Sequence, residues 1–366
     1  MKIIHCADLH FDSKLNANLE KESAKQRKAE ILHTFARMVA YAADNEVKAI
    51  LIAGDLFDTK NTSATARNAF LHEMLQHPDI NFYYLRGNHD QDIFLFERDE
   101  LPQNLRTFDA QWKTYTEEEG KITISGIEFP AQDTDSVYLA CAPDAEKFNI
   151  VMLHGQEGTG SAKDRTEIIN LKALRNKGID YIALGHVHAY KKETLDARGV
   201  YCYCGCLEGR GFDECGEHGF VLLDVDAQSG KYTHTFVPFA KRRLYAVEAD
   251  VTGCLTTAEM AEKARQALAA AGCGKDDLIK IVLKGMVDVA CEKDIVYFQA
   301  RFASDFYFVK VCDETTLLVD VEDYMRDASL KGEFVRQVME DESIPKEDKK
   351  TIIRYGLQAI AGEEIQ

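Results

Sequence analysis

The chain has 366 residues, a formal net charge of −17 and a hydrophobic content of 46%. This length exceeds the size at which one hydrophobic core usually keeps growing, so more than one domain is expected. The acidic charge argues against a protein that holds nucleic acid through a broadly basic surface. It does not exclude a nucleic-acid substrate, because bound divalent cations locally reverse the sign of an acidic site. No apolar stretch approaches the roughly 18 residues of a membrane span, so no membrane association is expected.

The ten cysteines are scattered along the chain, and most lie within apolar, strand-like runs. The sequence enters such a run at once and shows no signal-peptide pattern. We therefore expect reduced thiols in a cytoplasmic protein rather than a disulfide framework. Cys202, Cys204 and Cys206 alternate at strand spacing and could suggest zinc, but they lack the paired C-x-x-C spacing of structural zinc sites, so buried thiols are expected.

Five short apolar runs in the first half of the chain each end in side chains that can bind a metal. Apolar runs without polar alternation are typical of strands buried on both faces, in sheets that helices cover on each side. Such sheets bind ligands at the carboxyl ends of their strands. The polar residues at these ends are Asp8 and His10, Asp55, Asn88 and His89, His154, and His186 and His188.

Helical periodicity separates the first strands. Between Glu22 and Val47, apolar residues recur at the spacing of one buried helix face. A second helix is predicted from Thr62 or Ser63, both good N-caps, to the stop at Pro78. Its predicted buried residues are Phe70, Leu71, Met74 and Leu75.

The alternation of strand and helix resumes after a turn-rich stretch. A third helix is predicted over roughly residues 165–177, and shorter runs over about 122–141 and 200–238 predict further strands that we expect to be antiparallel. Together these elements predict an α/β fold for residues 1–240.

The composition shifts after Lys241-Arg242-Arg243, and no further strand that ends in metal ligands follows. Residues 244–251, 256–271, 279–283, 293–302 and 306–311 predict strand, helix, strand, helix and strand, although the fourth segment could also be a strand. From Val321 to Gln366 we predict two amphipathic helices, the second opened by Pro345 and ended by Gly362. The predicted domains are 1–240, a smaller α+β domain over 241–320, and a helical segment over 321–366.

The spacing of the polar residues indicates a site for two metals. Asp8 and His10 are two residues apart, so in extended backbone both side chains point to the same side. Asp55 offers a carboxylate that can bridge two cations. Nitrogen and oxygen ligands without thiolates suit Mn, Fe or Zn. A pair of such cations activates water and stabilises the attacking and leaving oxygens of a phosphoryl displacement.

The motifs Asp8-Leu9-His10, GDLFD at 54–58, GNHD at 87–90, LHG at 153–155 and GHVH at 185–188 resemble those of the calcineurin-type metallophosphoesterase superfamily. Their order and the smaller second domain resemble the SbcD-type DNA repair exonucleases. The resemblance implies a two-sheet α/β sandwich flanked by helices, with a smaller α+β capping domain and C-terminal helices. It also implies a DNA exonuclease or endonuclease that works with an SMC-like ABC ATPase, and it leaves a homodimer open.

The resemblance also implies roles for individual residues. Asp8, His10, Asp55 and His188 would hold one divalent ion, and Asp55, Asn88, His154 and His186 the other, with Mn²⁺ expected and Fe²⁺ or Zn²⁺ as alternatives. His89 resembles the histidine that protonates the leaving 3′-oxygen. Asp58 stands where some relatives place a catalytic histidine, which leaves its auxiliary role open.

Other interpretations of the sequence remain open. One is a phosphodiesterase or phosphatase for a small nucleotide or other phosphoester, and another is a scaffold without activity, which the complete ligand set disfavours. Lys191-Lys192 and Lys241-Arg242-Arg243 either contact substrate phosphates or lie in solvated loops. The tail helices either pack on their own domain or dock the ATPase through Leu330, Phe334, Val338, Ile352, Ile353, Leu357 and Ile360.

Overall fold

A computed structural model describes residues 1–13, 15, 19, 21–58, 62–90, 101–128, 136–158, 168–288, 291–318 and 321–361. The chain divides into two compact units, Met1–Arg243 and Leu244–Gln366. The elements of the first unit are β1 (Lys2–Cys6), α1 (Lys21–Asp44), β2 (Val47–Ala53), α2 (Ala64–Gln76), β3 (Asn81–Leu85), β4 (Leu105–Thr107), β5 (Lys113–Glu117), β6 (Ile122–Gly126), α3 (Ser136–Ala140), β7 (Phe148–His154), β8 (Gln156–Glu157), β9 (Ile168–Ile169), β10 (Tyr181–Gly185), β11 (Lys191–Thr194), β12 (Val200–Tyr203), β13 (Gly219–Val225) and β14 (Tyr232–Pro238).

Two mixed sheets form the first unit. One has the described order β14-β13-β1-β2-β3-β4, and the other has the order β11-β12-β10-β7-β6-β5. Strands β1, β2 and β3 run parallel in the first sheet, as do β6, β7, β10 and β12 in the second. The predicted two-sheet α/β sandwich with flanking helices is confirmed.

Side chains of successive strand residues alternate between two buried layers. Ile4, Ile50 and Phe82 pack with α1 and α2 on the outer face of the first sheet. Their sequence neighbours Ile3 and Leu51 pack between the two sheets with residues of the second sheet. Because both faces are covered, the strands carry the continuous apolar runs that the sequence shows.

The two predicted crossover helices are confirmed. In α1, Ile31, Phe35 and Met38 lie on the buried face. Helix α2 begins after Ser63, whose side chain accepts a hydrogen bond from the backbone N–H of Ala66. Leu75 was predicted to be buried, but its side chain is 62% exposed, because it falls on the solvent face of α2 next to Met74.

The third helix, predicted over 165–177, is wrong for the described part of that range. Ile168–Ile169 forms the short strand β9, parallel to β8, and Leu171–Leu174 is a 3-10 helix. The apolar spacing of this stretch is compatible with a helix as well as with a strand. The backbone pairing with β8 gives the strand. The expected antiparallel strands are also only partly present, because β6 and β12 each have a parallel neighbour and Ser136–Ala140 is helical.

The second unit contains the predicted strand, helix, strand, helix and strand, with an additional short strand before its second helix. Its elements are β15 (Leu244–Asp250), α4 (Thr257–Ala271), β16 (Leu278–Lys284), β17 (Met286–Asp288), α5 (Ile295–Phe302), β18 (Phe308–Asp313), β19 (Thr316–Leu318), α6 (Val321–Arg326), α7 (Leu330–Glu340) and α8 (Lys346–Ala361). Strands β15, β16 and β18 form a parallel sheet whose core includes residues of α4 and α5.

The tail contains three described helices where two were predicted, because Val321–Arg326 forms a separate short helix. Val335 and Val338 of α7 pack with Ile353 and Leu357 of α8 around Leu317. The second long helix follows Pro345 as predicted, and its predicted end at Gly362 lies outside the described residues.

Cys202, Cys204 and Cys206 are free and fully buried, as predicted. Among the described helices, none combines the length and the apolar character that crossing a membrane would require.

Candidate metal centre

The loops after β1, β2, β3, β7 and β10 bring the predicted site residues together. Asp8, His10 and His188 place possible ligand atoms within 4.8 Å of one another, and so do Asp55, His154 and His186. The side-chain oxygen of Asn88 lies 3.0 Å from Nε2 of His154. Asp8, His10, Asp55 and His154 are almost fully buried. The convergence follows from the shared direction of the parallel strands.

The backbone at these strand ends is tightly turned. Asp8, His10, Asp55 and His186 have φ values of 53°, 45°, 52° and 96°. Residues other than glycine rarely adopt this left-handed conformation, and it is concentrated at functional sites. The expectation of extended backbone at Asp8 and His10 is therefore wrong. Their side chains meet because both residues turn, not because they alternate along a strand.

Close approach of the loops requires two glycines. A Cβ on Gly54 would lie 2.1 Å from Nδ1 of His154, and a Cβ on Gly87 would lie 2.2 Å from Oδ1 of Asp55. Oδ1 of Asp55 also accepts the backbone N–H of His89 at 2.9 Å. The β2 and β3 loops are therefore packed against each other directly beneath the carboxylate.

Four pairs of ligand atoms lie at nearly equal distances. Nε2 of His10 lies 3.2 Å from Nε2 of His188, and Nε2 of His154 lies 3.3 Å from Oδ2 of Asp55. Oδ1 of Asn88 lies 3.0 Å from Nε2 of His154 and 3.3 Å from Nδ1 of His186. Ligands held about 2.1 Å from one cation at tetrahedral or octahedral angles are about 3.0–3.4 Å apart. The donor set therefore fits bound divalent cations.

Asp55 lies between the two groups of ligands. Its Oδ2 is 3.3 Å from Nε2 of His154 and 3.8 Å from Nε2 of His10. A carboxylate oxygen in this place could contact cations on both sides.

Three histidines have one ring nitrogen held by an oxygen outside the ligand set. Nδ1 of His10 lies 3.1 Å from Oδ1 of Asp58, Nδ1 of His154 lies 2.9 Å from the carbonyl oxygen of Ala53, and Nδ1 of His188 lies 2.7 Å from Oε1 of Glu214. An Nδ1–H that donates to these oxygens leaves Nε2 with a lone pair. Such outer hydrogen bonds orient metal-binding histidines.

The charges of the site favour a cation. Burial lowers the pKa of His154, but the hydrogen bond and the negative charge of Asp55 outweigh it and raise the pKa to about 10. Burial raises the pKa of Asp55, yet its contacts with His154 and His10 leave that pKa below its usual range. The negative charges of Asp55 and Asp8 therefore stabilise positive charge at this place.

Asp58 contacts two histidines of the site. Its Oδ1 lies 2.8 Å from Nδ1 of His89 as well as 3.1 Å from Nδ1 of His10. The hydrogen bond with Asp58 raises the pKa of His89, whose side chain is 46% exposed. Asp58, whose role the sequence left open, thus orients two histidines.

Three further residues at the site were not predicted from the sequence. Asp90 accepts the backbone N–H groups of Leu56, Phe57 and Gly87, so it links the β2 loop to the β3 loop. Glu214 contacts His188, and Arg210 contacts Glu214. Asp90 could have been found as the last residue of the GNHD motif. For Arg210 and Glu214, the only sequence signal was their spacing of four residues, which allows an ion pair.

One of the two basic runs forms ion pairs with acidic side chains of its own unit. Arg242 is 5% exposed and donates two hydrogen bonds to Glu30 of α1, while Lys241 also pairs with Glu30. Arg243 pairs with Glu217. In the other run, Lys191 pairs with Glu157 and Glu193.

Comparison with known proteins agrees with the geometry. Residues 1–190 match the calcineurin-like phosphoesterase family. The chain is 31% identical over 62% of its length to the uncharacterized metallophosphoesterase YhaO of Bacillus subtilis and spans 57% of that protein. It is 25% identical to the DNA double-strand break repair protein Mre11 of Methanopyrus kandleri over 89% of this chain and 76% of the relative. Identity to the SbcD subunit of the nuclease SbcCD of Escherichia coli is 26%, over 63% and 66% of the two chains.

Proposed function

The chain belongs to the calcineurin-like phosphoesterase family, and we propose that its metal centre hydrolyses the phosphodiester bonds of DNA. As a member of this family it is a metal-dependent hydrolase of phosphoesters that uses two divalent ions. The observation that carries the proposal is the set of ligand pairs 3.0–3.3 Å apart, in a chain whose relatives include proteins named as DNA repair proteins and as a nuclease subunit.

We propose the same ligands that the resemblance implies. Asp8, His10, Asp55 and His188 would hold one ion, and Asp55, Asn88, His154 and His186 would hold the other. The mixture of nitrogen and oxygen donors suits Mn²⁺, with Fe²⁺ and Zn²⁺ as alternatives. When bound, the two ions supply an activated water and stabilise the charge of the phosphoryl oxygens.

His89 is the proposed general acid. Its Nδ1 donates to Asp58, so Nε2 is the nitrogen that can face a substrate, and the side chain is half exposed. In this role Nε2 gives a proton to the leaving 3′-oxygen of the cleaved strand, and Asp58 keeps the ring oriented while it does so. Arg210, 4.0 Å from Asp58, adds a positive charge on the same side.

The proposed partner is an SMC-like ATPase that delivers DNA. The net charge of −17 supports this, because a protein that neutralises few phosphates binds duplex weakly and with a shallow salt dependence. Within the described tail, Leu330, Ile352 and Ile360 remain exposed and are the proposed docking residues. Val338, Ile353 and Leu357 are not, because they are buried in the core of their own unit.

The test uses metal-stripped, full-length protein. Linear duplex DNA, single-stranded DNA, a cyclic nucleotide and bis-p-nitrophenyl phosphate are each incubated with Mn²⁺, Fe²⁺ or Zn²⁺ and with EDTA. We expect hydrolysis of DNA and of the chromogenic ester with Mn²⁺, and none with EDTA. Asp55→Ala should abolish both activities, whereas His72→Ala, which changes an exposed histidine of α2, should retain them.

Two results would overturn the proposal. Hydrolysis that persists in EDTA after dialysis would exclude a metal mechanism. Efficient cleavage of the cyclic nucleotide with no cleavage of either DNA would instead support the alternative function, a phosphodiesterase for small nucleotides.

A further inference from the structure

Arg210 and Glu214 form an ion pair next to His188, with side chains that are 12% and 7% exposed. The carboxylate of Glu214 accepts hydrogen bonds from Nη2 of Arg210 at 2.7 Å, from Nε at 3.2 Å and from the backbone N–H of Arg210 at 2.7 Å. These bonds leave the carboxylate little freedom to rotate. The guanidinium of Arg210, 2.7 Å away, favours the ionised form of this carboxylate.

Two polar groups compete for Nδ1 of His188. Oε1 of Glu214 lies 2.7 Å from this atom, and Nη2 of Arg210 lies 3.1 Å from it. A guanidinium nitrogen only donates, and an ionised carboxylate only accepts. The ring therefore either donates its Nδ1–H to Glu214 or accepts a hydrogen bond from Arg210, and it cannot do both.

The two choices have opposite consequences for a cation. If Nδ1 carries the proton, Nε2 has a lone pair that points toward Nε2 of His10, 3.2 Å away. If Nδ1 accepts from Arg210, the proton lies on Nε2 and donates to Nε2 of His10. In this second tautomer, the Nε2 atoms of His188 and His10 are hydrogen-bonded to each other, so neither has a free lone pair for a cation.

We propose that Glu214, held by Arg210, is a positioning residue that keeps His188 in the Nδ1–H tautomer and so keeps the His10 and His188 side of the centre open to a divalent cation. The proposal rests on the assignment of His188 as a metal ligand and not on DNA as the substrate. The shorter contact of Nδ1 with Glu214 than with Arg210 supports it. Outer partners of this kind change metal affinity by about 10–100-fold.

Arg210 connects this arrangement to the other half of the site. Its Nη1 lies 4.0 Å from Oδ1 of Asp58, and Asp58 accepts from Nδ1 of His10. One guanidinium is therefore next to both carboxylates that hold the two facing histidines. Removing it should loosen both rings, whereas removing Glu214 should loosen only His188.

The first experiment measures the binding of Mn²⁺ by titration calorimetry to metal-stripped, full-length protein. We expect two ions per chain in the wild type and, in Glu214→Ala, a loss of about 10–100-fold in affinity for one of them. Glu214→Gln keeps an acceptor oxygen, so it should restore part of the lost affinity. Asp213→Asn removes an exposed carboxylate from the same loop and should bind as the wild type does.

A second measurement separates positioning from a loss of folding. The melting temperatures of the metal-stripped variants should match that of Asp213→Asn. If Glu214→Ala does not fold, the binding measurement is made with Glu214→Gln, which keeps the side-chain volume. In Co²⁺-loaded wild type, the Nδ1–H of His188 should give a slowly exchanging, hyperfine-shifted proton signal. This signal should disappear selectively in Glu214→Ala.

The outcomes distinguish this inference from the assignment on which it rests. A wild type that takes up no Mn²⁺ would overturn the metal centre and the role of Glu214 together. A wild type that binds two ions, with Glu214→Ala and Glu214→Gln binding them equally well, would overturn only the role of Glu214. A loss of affinity in Glu214→Ala that Arg210→Ala does not share would show that Arg210 is not needed to hold the carboxylate.

Discussion

Oδ1 of Asp58 lies 2.8 Å from Nδ1 of His89. This contact engages Nδ1 of the half-exposed imidazole beside the proposed metal ligands, so the proposed general acid would act through Nε2. The arrangement is suited to proton transfer at the edge of the centre, where a leaving oxygen would depart from the ions. In the proposed assignment, Asn88 is a metal ligand and its neighbour His89 is the acid.

His89→Ala should therefore retain its metals and lose turnover. A general acid contributes about 10²–10⁴-fold, so DNA cleavage should fall by that factor. Hydrolysis of bis-p-nitrophenyl phosphate should fall much less, because p-nitrophenolate leaves without a proton. The measurement is kcat on both substrates together with metal content by mass spectrometry.

His33→Ala, at an exposed position of α1, is the control for a changed histidine. If His89→Ala lost ions to the extent that Asp55→Ala does, His89 would be a ligand and not the acid. Equal losses of kcat on the two substrates would also contradict the assignment.

Gly87→Ala should disrupt the centre through sterics alone. The added Cβ would lie 2.2 Å from Oδ1 of Asp55 and 2.6 Å from its backbone nitrogen, so the β3 loop must move away from the bridging carboxylate. We expect weaker binding of both ions by calorimetry, with little change in far-UV circular dichroism. Gly274→Ala, which meets only the end of a flexible Asp277 side chain at 3.3 Å, is the control. Wild-type affinity for both ions in Gly87→Ala would show that the loop is not held against Asp55.

Several features of this fold and site follow from sequence patterns that act locally. The apolar runs of β1, β2 and β3 predict buried strands, and a chain that leaves parallel strands at the same edge brings Asp8, Asp55 and Asn88 together wherever the helices lie. Ser63 and Pro78 likewise delimit α2, because a cap and a missing N–H act within one turn.

Other features depend on contacts that are distant in sequence. Glu214 is 26 residues from His188, and nothing near either residue predicts their hydrogen bond. Arg242 belongs to a basic run for which the sequence left open a contact with phosphates or a solvated loop, yet it is buried against Glu30, 212 residues away. The helix expected near Ile168 failed for the same reason, because pairing of this stretch with β8 is a tertiary contact.

The buried charges around Glu30 predict a specific dependence of stability on pH. Burial raises the pKa of Glu30, but the hydrogen bonds from Arg242 and Arg27 outweigh it and lower the pKa to about 2, from an ordinary value of 4.5. A group whose pKa is lowered by folding stabilises the protein above its unfolded pKa and loses that contribution as the pH falls through the folded one. The stabilisation should therefore be complete above about pH 4.5 and lost toward pH 2.

Glu30→Gln should remove this contribution. Breaking one partner of a buried pair costs about 3–5 kcal/mol, so the difference in free energy of unfolding from the wild type should be of that order at pH 7 and shrink between pH 4.5 and pH 2. Urea unfolding followed by circular dichroism measures it. Glu217→Gln, which breaks the exposed pair with Arg243, should cost less than about 1 kcal/mol. A difference for Glu30→Gln that stays constant down to pH 2 would contradict the pKa assignment.

Ile352→Glu combined with Ile360→Glu should separate partner docking from catalysis. The two residues are 36% and 37% exposed on α8, whereas Ile353 and Leu357 are buried in the core of their unit, so the changes add charge to the surface without entering that core. Hydrolysis of bis-p-nitrophenyl phosphate should be unchanged. Co-purification with the SMC-like ATPase of its own organism, and ATP-stimulated digestion of duplex DNA, should be lost because a charged face is costly to bury against an apolar partner.

Leu75→Glu, at a 62% exposed leucine of α2, is the matched control and should keep all three properties. Undiminished ATP-stimulated digestion by the double variant would exclude this face of α8 as the docking surface.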